Sequence, residues 1–244
     1  MTPRIAVVVA TKDRGHLLKG LLSSIMNQTI NDWECVIVQD YCKDNTNFIL
    51  STVADRRIKV YENGGAKGKS GALNFIKDKV SAPIVKFFDD DDMLVPCALE
   101  MYSQMMEETD ADMGYSARYT LALNNQMVYT PNRDFSLEAF LERPMVGTGS
   151  LVVKNELYQN IDYDEKFPAS MDFDFICKCA ITGAKFAYTD LPLYLYRNHL
   201  DSITFDANPV QAIYYEKAKC RTIEELKRFP VSNELVEWLP LGQR

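Results

Sequence analysis

Four consecutive aspartates, residues 89–92, are the side chains of this sequence best suited to chemistry. Adjacent carboxylates repel one another, so each raises the free energy needed to ionise the next. The run follows a predicted buried strand, residues 84–88, and precedes Met93-Leu94-Val95, so it does not belong to a polar tail. Oxygen ligands at the end of a strand suit a hard divalent cation, Mg²⁺ or Mn²⁺, that also binds phosphate. The alternative is a solvated acidic turn that caps a helix.

The first 95 residues predict an alternation of buried strands and helices. Apolar, β-branched runs are typical of parallel strands buried on both faces, and they occupy residues 5–11, 35–38, 58–61 and 84–88. Apolar residues at helical spacing follow the first run, and the N-capping segment 44–46 opens a second helix. A glycine- and lysine-rich loop, 64–71, precedes a third predicted helix at 72–80. This alternation indicates a parallel sheet with helical crossovers.

Polar residues follow three of these strands at the point where each strand ends. They are Thr11, Asp40 and the aspartates 89–92. Ligands of open α/β sheets bind at the carboxyl ends of the strands. We therefore expect these distant residues to meet at one rim of the sheet.

The loop at 63–70, NGGAKGKS, approaches the phosphate-binding pattern G-x-x-x-x-G-K-S. Asn63 stands where that pattern requires its first glycine, and the segment follows the third predicted strand instead of the first. The sequence therefore disfavours a P-loop nucleotide hydrolase. The glycines still allow backbone N–H groups to approach a phosphate.

The second half predicts shorter elements of both kinds. A hairpin is expected where 113–123 and 127–130 flank Asn124-Asn125. Two helices are predicted at 136–142 and 173–181, and three strands at 150–153, 186–188 and 193–196. The tail, 209–239, is mostly helical and is interrupted at Pro230.

Composition excludes several classes of protein. The net charge of -7 gives no strong signal for nucleic-acid binding, which needs a basic face. No apolar stretch reaches the roughly 18 residues of a transmembrane helix, and the opening run is too short for a signal peptide. The six cysteines form no C-x-x-C pair and have no zinc-finger spacing. Free thiols in a reducing cytosol are expected, so the sequence predicts a cytoplasmic protein, with peripheral contact at a membrane left open.

Six short motifs occur in a fixed order along the chain: VVVATKDRGHLLKGLLSSIMNQT, ECVIVQDYCKDNT, GKSGALN, FFDDDDML, MDFDF and YLYRNHLDS. Together they resemble glycosyltransferase family 2, an inverting family with the GT-A fold, up to about Ser202. The resemblance implies an α/β fold with a mostly parallel central sheet of βαβ units, helices on both faces, a small antiparallel part and C-terminal helices. It also implies a glycosyltransferase domain at 1–205, with a donor half (1–95) and an acceptor half (96–205), before a helical extension at 206–244.

The resemblance assigns donor-binding roles to four residues. Thr11 and Asp13 would line the nucleotide pocket, and Asp40 would accept a hydrogen bond from the base, for which a pyrimidine is expected. Lys69 would reach the diphosphate. The alternatives are a turn cap for Asp40 and plain solvent exposure for Lys69.

The resemblance also divides the acidic run. Asp91 would be the leading ligand of Mn²⁺ or Mg²⁺ and Asp92 the next, while Asp89 would contact the ribose or the metal. Asp90 occupies the position that varies in the family, within the same donor site. His199 is implied as a third metal ligand or a phosphate contact, and the alternative for it is a structural or exposed loop histidine.

An inverting transfer needs one carboxylate to take a proton from the acceptor hydroxyl. Asp172 of MDFDF matches the family's base, although Met171 stands where the family usually has glutamate. Asp174 should point to a different side of the same helix. An N-cap of that helix is the alternative role for Asp172. The small-residue turn 147–150 would lie near the acceptor.

The expected function is metal-dependent, inverting transfer of a sugar from a nucleoside diphosphate sugar, with a UDP-sugar expected, to a hydroxyl of a glycan, a lipid-linked sugar or another acceptor. One alternative is a nucleotidyltransferase that makes sugar nucleotides on a similar sheet. Another is an inactive relative that only binds a nucleotide-sugar. For the tail, a packed helix is expected, and the alternatives are a cover for the acceptor cleft, a homo-oligomer contact or a membrane contact.

Overall fold

The computed structural model describes residues 2–65, 68–199 and 209–228. These residues form nine strands: β1 Ile5–Thr11, β2 Trp33–Gln39, β3 Ile58–Glu62, β4 Ile84–Asp89, β5 Met93–Leu94, β6 Met113–Leu121, β7 Met127–Thr130, β8 Val152–Lys154 and β9 Phe186–Arg197. They also form eight α-helices: α1 Gly15–Met26, α2 Thr46–Ser51, α3 Gly68–Phe75, α4 Ala98–Thr109, α5 Leu137–Glu142, α6 Asn155–Asn160, α7 Met171–Ile181 and α8 Pro209–Arg228.

The strands form one mixed sheet in the order β3-β2-β1-β4-β8-β6-β9-β5, with β7 paired to β6. β3, β2, β1 and β4 run parallel. β8 is antiparallel to both β4 and β6, and β9 runs parallel to β6. The predicted parallel sheet and its smaller antiparallel part are therefore confirmed.

Helices cover both faces of this sheet. Successive residues of β1 alternate between two hydrophobic clusters: Ala6 and Val8 belong to the one that includes residues of α3 and α7. Val7 and Val9 belong to the other, with residues of α1 and α4. Because side chains alternate along a strand, the two clusters lie on opposite faces. Burial on both faces explains why β1 is apolar along almost its whole length.

Several predicted elements have different bounds in the structure. The strands expected at 186–188 and 193–196 are one strand, β9, whose pairing with β6 is interrupted by register shifts near Ala117. The helix expected at 72–80 begins earlier, at Gly68, and a 3-10 turn at Lys77–Lys79 follows it. Part of the expected loop 64–71 is therefore helical. α4, α6 and β5 have no counterpart among the predicted elements.

The described part of the tail is the single helix α8, which packs against the site-bearing helix α7. Ser170, just before α7, donates a hydrogen bond from its hydroxyl to Gln211 O at 2.9 Å. The Tyr215 hydroxyl donates to Leu141 O at 2.6 Å. The expected break at Pro230 lies outside the described residues. Among the helices that the structure describes, none has the length and apolarity needed to cross a bilayer.

Glu34 ties the start of β2 to its neighbours and is 3% exposed. Its Oε1 accepts hydrogen bonds from the backbone N of Ser81 and Ala82 at 2.6 and 2.9 Å, and its Oε2 accepts from Lys59 Nζ at 2.7 Å. Burial favours the protonated form, but Lys59 and the backbone donors outweigh it and lower the pKa of Glu34. The carboxylate therefore stabilises the folded chain when it is ionised.

Glu34→Gln is expected to lower the free energy of unfolding near neutral pH by about 1–3 kcal/mol, because charge-assisted hydrogen bonds are lost. The folded-state pKa lies below the unfolded value of about 4.3. The stabilisation is therefore present above that value and is lost as the pH falls through the folded-state pKa. Urea unfolding across the acid range should show the two curves converge, and a constant difference would contradict the assignment.

Candidate active site

The carboxyl ends of β1, β2 and β4 lie side by side, as predicted. Thr11 is paired with Gln39 of β2, and Ala10 with Asp89 of β4. The backbone N of Asp40 donates a hydrogen bond to Thr11 O at 2.9 Å. The shared register brings the polar residues at the strand ends to one rim.

Asp40 is buried at this rim, with one partner for each carboxylate oxygen. Asn63 Nδ2 donates to Oδ1 at 2.8 Å, and Lys12 Nζ lies 3.2 Å from Oδ2. These contacts come from the loops that follow β1 and β3. They hold the carboxylate in place beside the first strand end, where the nucleotide base is expected.

Asp13 lies in the loop after β1 with a left-handed backbone, φ 52°. Its Oδ1 accepts hydrogen bonds from the backbone N of Lys43 and Asp44. The side chain therefore joins the loop after β1 to the loop after β2. Asp13 is exposed, which leaves the outer side of this junction open to a ligand.

The first two aspartates of the run have different surroundings. Asp89 forms an ion pair with Lys69 of α3. Asp90 is 6% exposed and lies 3.3 Å from Arg14 Nη1. Burial raises the pKa of Asp90 to about 6, although the Arg14 charge and the Thr11 hydroxyl oppose that rise.

Asp91 contacts two basic side chains. Its Oδ2 accepts a hydrogen bond from the Arg14 guanidinium and lies 2.9 Å from His199 Nε2. Burial favours the neutral form, but the His199 hydrogen bond and the Arg14 charge outweigh burial and lower the pKa of Asp91. Asp91 therefore remains ionised, which is the state a metal ligand requires.

Asp92 is fully buried behind Asp91. Its Oδ1 accepts a hydrogen bond from the backbone N of Arg197 at 3.0 Å. Its Oδ2 lies near Gly149 and has no hydrogen-bond partner among the described residues. Burial and the charges of Asp89 and Asp91 raise the pKa of Asp92 well above its usual range.

Two of the residues predicted to hold a metal, Asp91 and Asp92, have features of cation ligands. One carboxylate is held ionised, and another has a buried oxygen with no partner in the described parts of the chain. A buried polar atom without a partner is costly, and such an atom is consistent with a ligand site. A carboxylate and imidazole set suits Mn²⁺, and the carboxylates also suit Mg²⁺.

Asp91, Asp92 and His199 do not form a trio whose ligand atoms all lie within 4.8 Å of one another; among the described residues, Asp13, Cys42 and Asp44 form such a trio. Asp13 and Asp44 are exposed. Their oxygens accept hydrogen bonds from backbone N–H groups of the same loops and of Gly15. These carboxylates organise the turns after β1 and β2.

Asp172 lies in the first turn of α7, one residue after its start, so it is not the N-cap; Ser170 holds that position. The Thr148 backbone N and hydroxyl lie 3.2 and 3.4 Å from Asp172 Oδ2 and donate to it. The carboxylate is half-buried. Burial lowers the pKa of Lys69, but the negative charges of Asp89 and, to a smaller extent, Asp172 raise it above its usual value. Both carboxylates therefore stabilise the same ammonium group.

Asp174 points away from the rim, which confirms that the two acidic residues of MDFDF face different sides. It is fully buried, lies 3.0 Å from Lys178 Nζ and forms an ion pair with Arg221 of α8. This carboxylate therefore joins α7 to the C-terminal helix.

Three residues that make contacts at the rim are absent from the predicted site residues. Arg14 pairs with Asp90 and Asp91, Thr148 donates to Asp172, and the Arg197 side chain donates to Asp91 O. Arg14 follows the first strand end by three residues, a spacing that places it at the rim. Thr148 belongs to the turn 147–150 that was expected near the acceptor, but its contact with Asp172 has no local signal because the two residues are 24 positions apart.

Comparisons with known proteins agree with this arrangement. The family model "Glycosyl transferase family 2" matches residues 6–145. The chain is 31% identical over 124 residues to the Escherichia coli UDP-Glc:alpha-D-GlcNAc-diphosphoundecaprenol beta-1,3-glucosyltransferase WfgD, a match that covers 51% of this chain and 49% of that protein. The chain thus spans about half the length of this relative.

Two solved structures share the fold. S. aureus TarS in complex with UDP-GlcNAc superimposes with a TM-score of 0.79 at 16% identity, covering 95% of this chain and 68% of that one. The mannosyltransferase PcManGT from Pyrobaculum calidifontis, in complex with GDP-Man and Mn²⁺, gives 0.64 at 14% identity, covering 95% and 77%. At these identities the likeness establishes the GT-A fold. Together with the family model, which spans more than half of the sequence, it shows that the chain is a member of glycosyltransferase family 2.

Proposed function

We propose that the chain transfers a sugar from a UDP-sugar to an acceptor hydroxyl, with inversion at the anomeric carbon and with a divalent cation as cofactor. The observation that carries this proposal is the presence at one rim of two carboxylates with distinct surroundings, each of which interacts electrostatically with Lys69. Asp91, two residues beyond Asp89, is held ionised by basic neighbours, and Asp172 is held by Thr148. The first suits a cation and a diphosphate, and the second suits proton transfer.

The donor half, 1–95, supplies the nucleotide contacts in this proposal. Thr11 and Asp13 line the nucleotide pocket, and Asp40 accepts from the N–H of a pyrimidine base. Lys69 and Asp89, already an ion pair, face the diphosphate and the ribose. UDP-sugars appear in the names of both WfgD and the TarS complex, which supports a UDP-sugar here.

The cation would be held by Asp91, Asp92 and His199. When bound, it offsets the negative charge that develops on the diphosphate leaving group. Mn²⁺ is the first candidate because the PcManGT complex contains it, and Mg²⁺ is the second. The Asp91 carboxylate forms an ion pair with Arg14 and lies 2.9 Å from His199 Nε2, which supports its role as a cation ligand.

Asp172 is the proposed base. Its carboxylate takes the proton of the acceptor hydroxyl as that oxygen forms a bond to the anomeric carbon. The bond between this carbon and the diphosphate oxygen breaks on the opposite face, so the configuration inverts. The hydrogen bonds from Thr148 hold Oδ2, which leaves the orientation of the carboxylate defined.

For the acceptor, we propose a lipid-linked sugar bound by the acceptor half, 96–205. The support is the name of WfgD, whose acceptor is a diphosphoundecaprenol-linked GlcNAc. Such a substrate lies at a bilayer, so peripheral contact with a membrane follows from the proposal. The C-terminal extension contains α8, which packs against α7 of this acceptor half.

A screen of nucleotide-sugars for thermal stabilisation tests the proposal. UDP-sugars should raise the unfolding temperature in Mn²⁺ or Mg²⁺ and lose most of this effect in EDTA, because bound ligand adds about 2.7 kcal/mol at a hundredfold excess over Kd. The stabilising donor should then release UDP on incubation. Stabilisation without UDP release under any acceptor tested would favour an inactive binding protein. Pyrophosphate formed from a nucleoside triphosphate and a sugar phosphate would favour a nucleotidyltransferase.

A further inference from the structure

Lys86 lies in the middle of β4 and is completely buried, three residues before the acidic run. Its Nζ donates hydrogen bonds to three backbone carbonyls, Phe87 O at 2.8 Å, Gly149 O at 2.7 Å and Leu151 O at 3.2 Å. The ammonium also faces three aromatic rings, at 4.8 Å from Tyr102, 5.0 Å from Phe88 and 5.9 Å from Tyr194. Every donor of this lysine is used.

A buried lysine has a cost that an apolar residue would avoid. Burial lowers the pKa of Lys86 well below its usual range, while the charges of Asp89 and Asp92 oppose that shift. A neutral amine has two N–H donors, and the ammonium has three. Only the charged form satisfies all three carbonyls. A methionine would fill the same space among the rings without this cost, so the lysine needs a reason beyond packing.

Two of the three carbonyls belong to one short turn, residues 147–151, hereafter the 147–151 turn. Its centre is a 3-10 turn, Thr148–Ser150. Three internal hydrogen bonds close it: Ser150 N to Gly147 O at 3.0 Å, Ser150 Oγ to the same oxygen at 2.9 Å, and Leu151 N to Thr148 O at 3.1 Å. The Lys86 ammonium donates hydrogen bonds to the Gly149 and Leu151 carbonyls of the 147–151 turn and so connects this turn to β4.

The 147–151 turn contacts both halves of the active site. On one side, Thr148 donates twice to Asp172. On the other, Gly149 packs so closely that a Cβ there would lie 3.0 Å from Asp92 Oδ2 and 2.8 Å from a Tyr194 ring carbon. A shift of this turn would therefore move Asp172 relative to Asp92.

We infer that Lys86 is a positioning residue: it holds the 147–151 turn against β4 and, through Thr148, sets the orientation of Asp172 toward the donor. The expected effect on catalysis rests on the proposed function. The attachment of the 147–151 turn to β4 by Lys86 is a separate, structural claim. Misplacement of a reacting group by about 1 Å lowers turnover by about a hundredfold, so a loosened turn should reduce turnover strongly.

The test compares Lys86→Met with Lys77→Met. Lys77 is also a buried lysine, 7% exposed, with Nζ 2.7 Å from Ile161 O and 5.1 Å from the Tyr158 ring, outside the rim. Hydrogen exchange measured by mass spectrometry should show faster exchange of the 147–151 amides in Lys86→Met and an unchanged rate in Lys77→Met. An unchanged exchange rate of the 147–151 amides in Lys86→Met overturns the inference, regardless of the turnover of this variant.

Turnover is measured as release of UDP from UDP-glucose with Mn²⁺ and water as acceptor, beside the Kd for UDP. Lys86→Met should lower kcat by about tenfold to a hundredfold and change the UDP affinity by less than about twofold. Lys77→Met should keep both. Thr148→Val should lower kcat too, and the double variant should lose no more than the larger single loss, because both act through one contact. Additive losses overturn the route through Thr148.

Lys86→Gln keeps two N–H donors and is the second variant in case Lys86→Met does not fold. Its exchange and turnover should lie between wild type and Lys86→Met, and wild-type values for both overturn the inference. If the wild type releases no UDP from any donor, the proposed function fails, and the exchange comparison still decides whether Lys86 holds the turn. If exchange rises while kcat stays normal, the turn does not position Asp172.

Discussion

Asp91→Ala is expected to abolish Mn²⁺-dependent binding of UDP while the chain remains folded. Asp91 is the aspartate of the run whose pKa is lowered, by His199 and Arg14 against the effect of burial. It is therefore the ionised carboxylate to which a cation would bind. Loss of a ligand should cost more than the roughly 10–100-fold in metal affinity that outer-shell changes cost. Calorimetry with UDP, in Mn²⁺ and in EDTA, measures the change.

A matched control is Asp55→Ala. Asp55 also pairs with an arginine, Arg57 at 2.6 Å, but it lies before β3, at the opposite end of the parallel strands. Both variants lose an arginine-paired carboxylate, so both should lose some stability. Only Asp91→Ala should lose the Mn²⁺-dependent part of UDP affinity. Retention of that part in Asp91→Ala would refute the metal assignment.

Asp172→Asn is expected to keep UDP binding and to lower turnover by about a hundredfold or more, the range for loss of a general base. The amide keeps the size of the side chain and still accepts from Thr148 through its oxygen, so the geometry of α7 should persist. What is lost is the capacity to take a proton. Steady-state release of UDP, with the Kd for UDP measured beside it, separates the two effects.

Asp174→Asn serves as its counterpart. Asp174 is fully buried and is paired with Lys178 and Arg221, on the side of α7 that faces α8. Removal of its charge takes one buried carboxylate partner from each of two cations, although Arg221 keeps its ion pair with Asp164, so the variant should unfold more easily. Its kcat per folded molecule should stay close to wild type. The opposite result, a normal Asp172→Asn and an inactive Asp174→Asn, would move the base to Asp174.

Local sequence patterns were sufficient to predict the strands and the rim of the first half of the chain. The mostly apolar runs that form β1, β2 and β4 are buried on both faces, and their composition and length are typical of strands in a covered parallel sheet. Because parallel strands end at one edge, the meeting of Thr11, Asp40 and Asp89 followed from strand order alone. The chemistry of the acidic run was visible for the same reason.

The second half was harder to predict because its elements depend on distant partners. β9 reads as two short strands, since Asp190, Leu191 and Pro192 interrupt the apolar pattern. In the structure, β9 continues as one strand across this interruption because it stays paired with β6, and register shifts in that pairing accommodate the irregular residues. α3 begins inside a glycine-rich loop, where Gly68 has φ +67° and Lys69 pairs with Asp89, a contact across 20 residues.

The sequence by itself determined the family resemblance, the parallel sheet and the acidic residues at the rim, because these depend on composition and on order along the chain. The resemblance assigned different roles to the four aspartates, but only the tertiary structure showed their different surroundings and their basic partners. Their pKa values differ because Arg14, His199 and Arg197 approach them from other elements, and because burial differs from one position to the next. The same holds for Lys86, whose place among three rings and three carbonyls exists only when β4, β9 and the 147–151 turn are packed together.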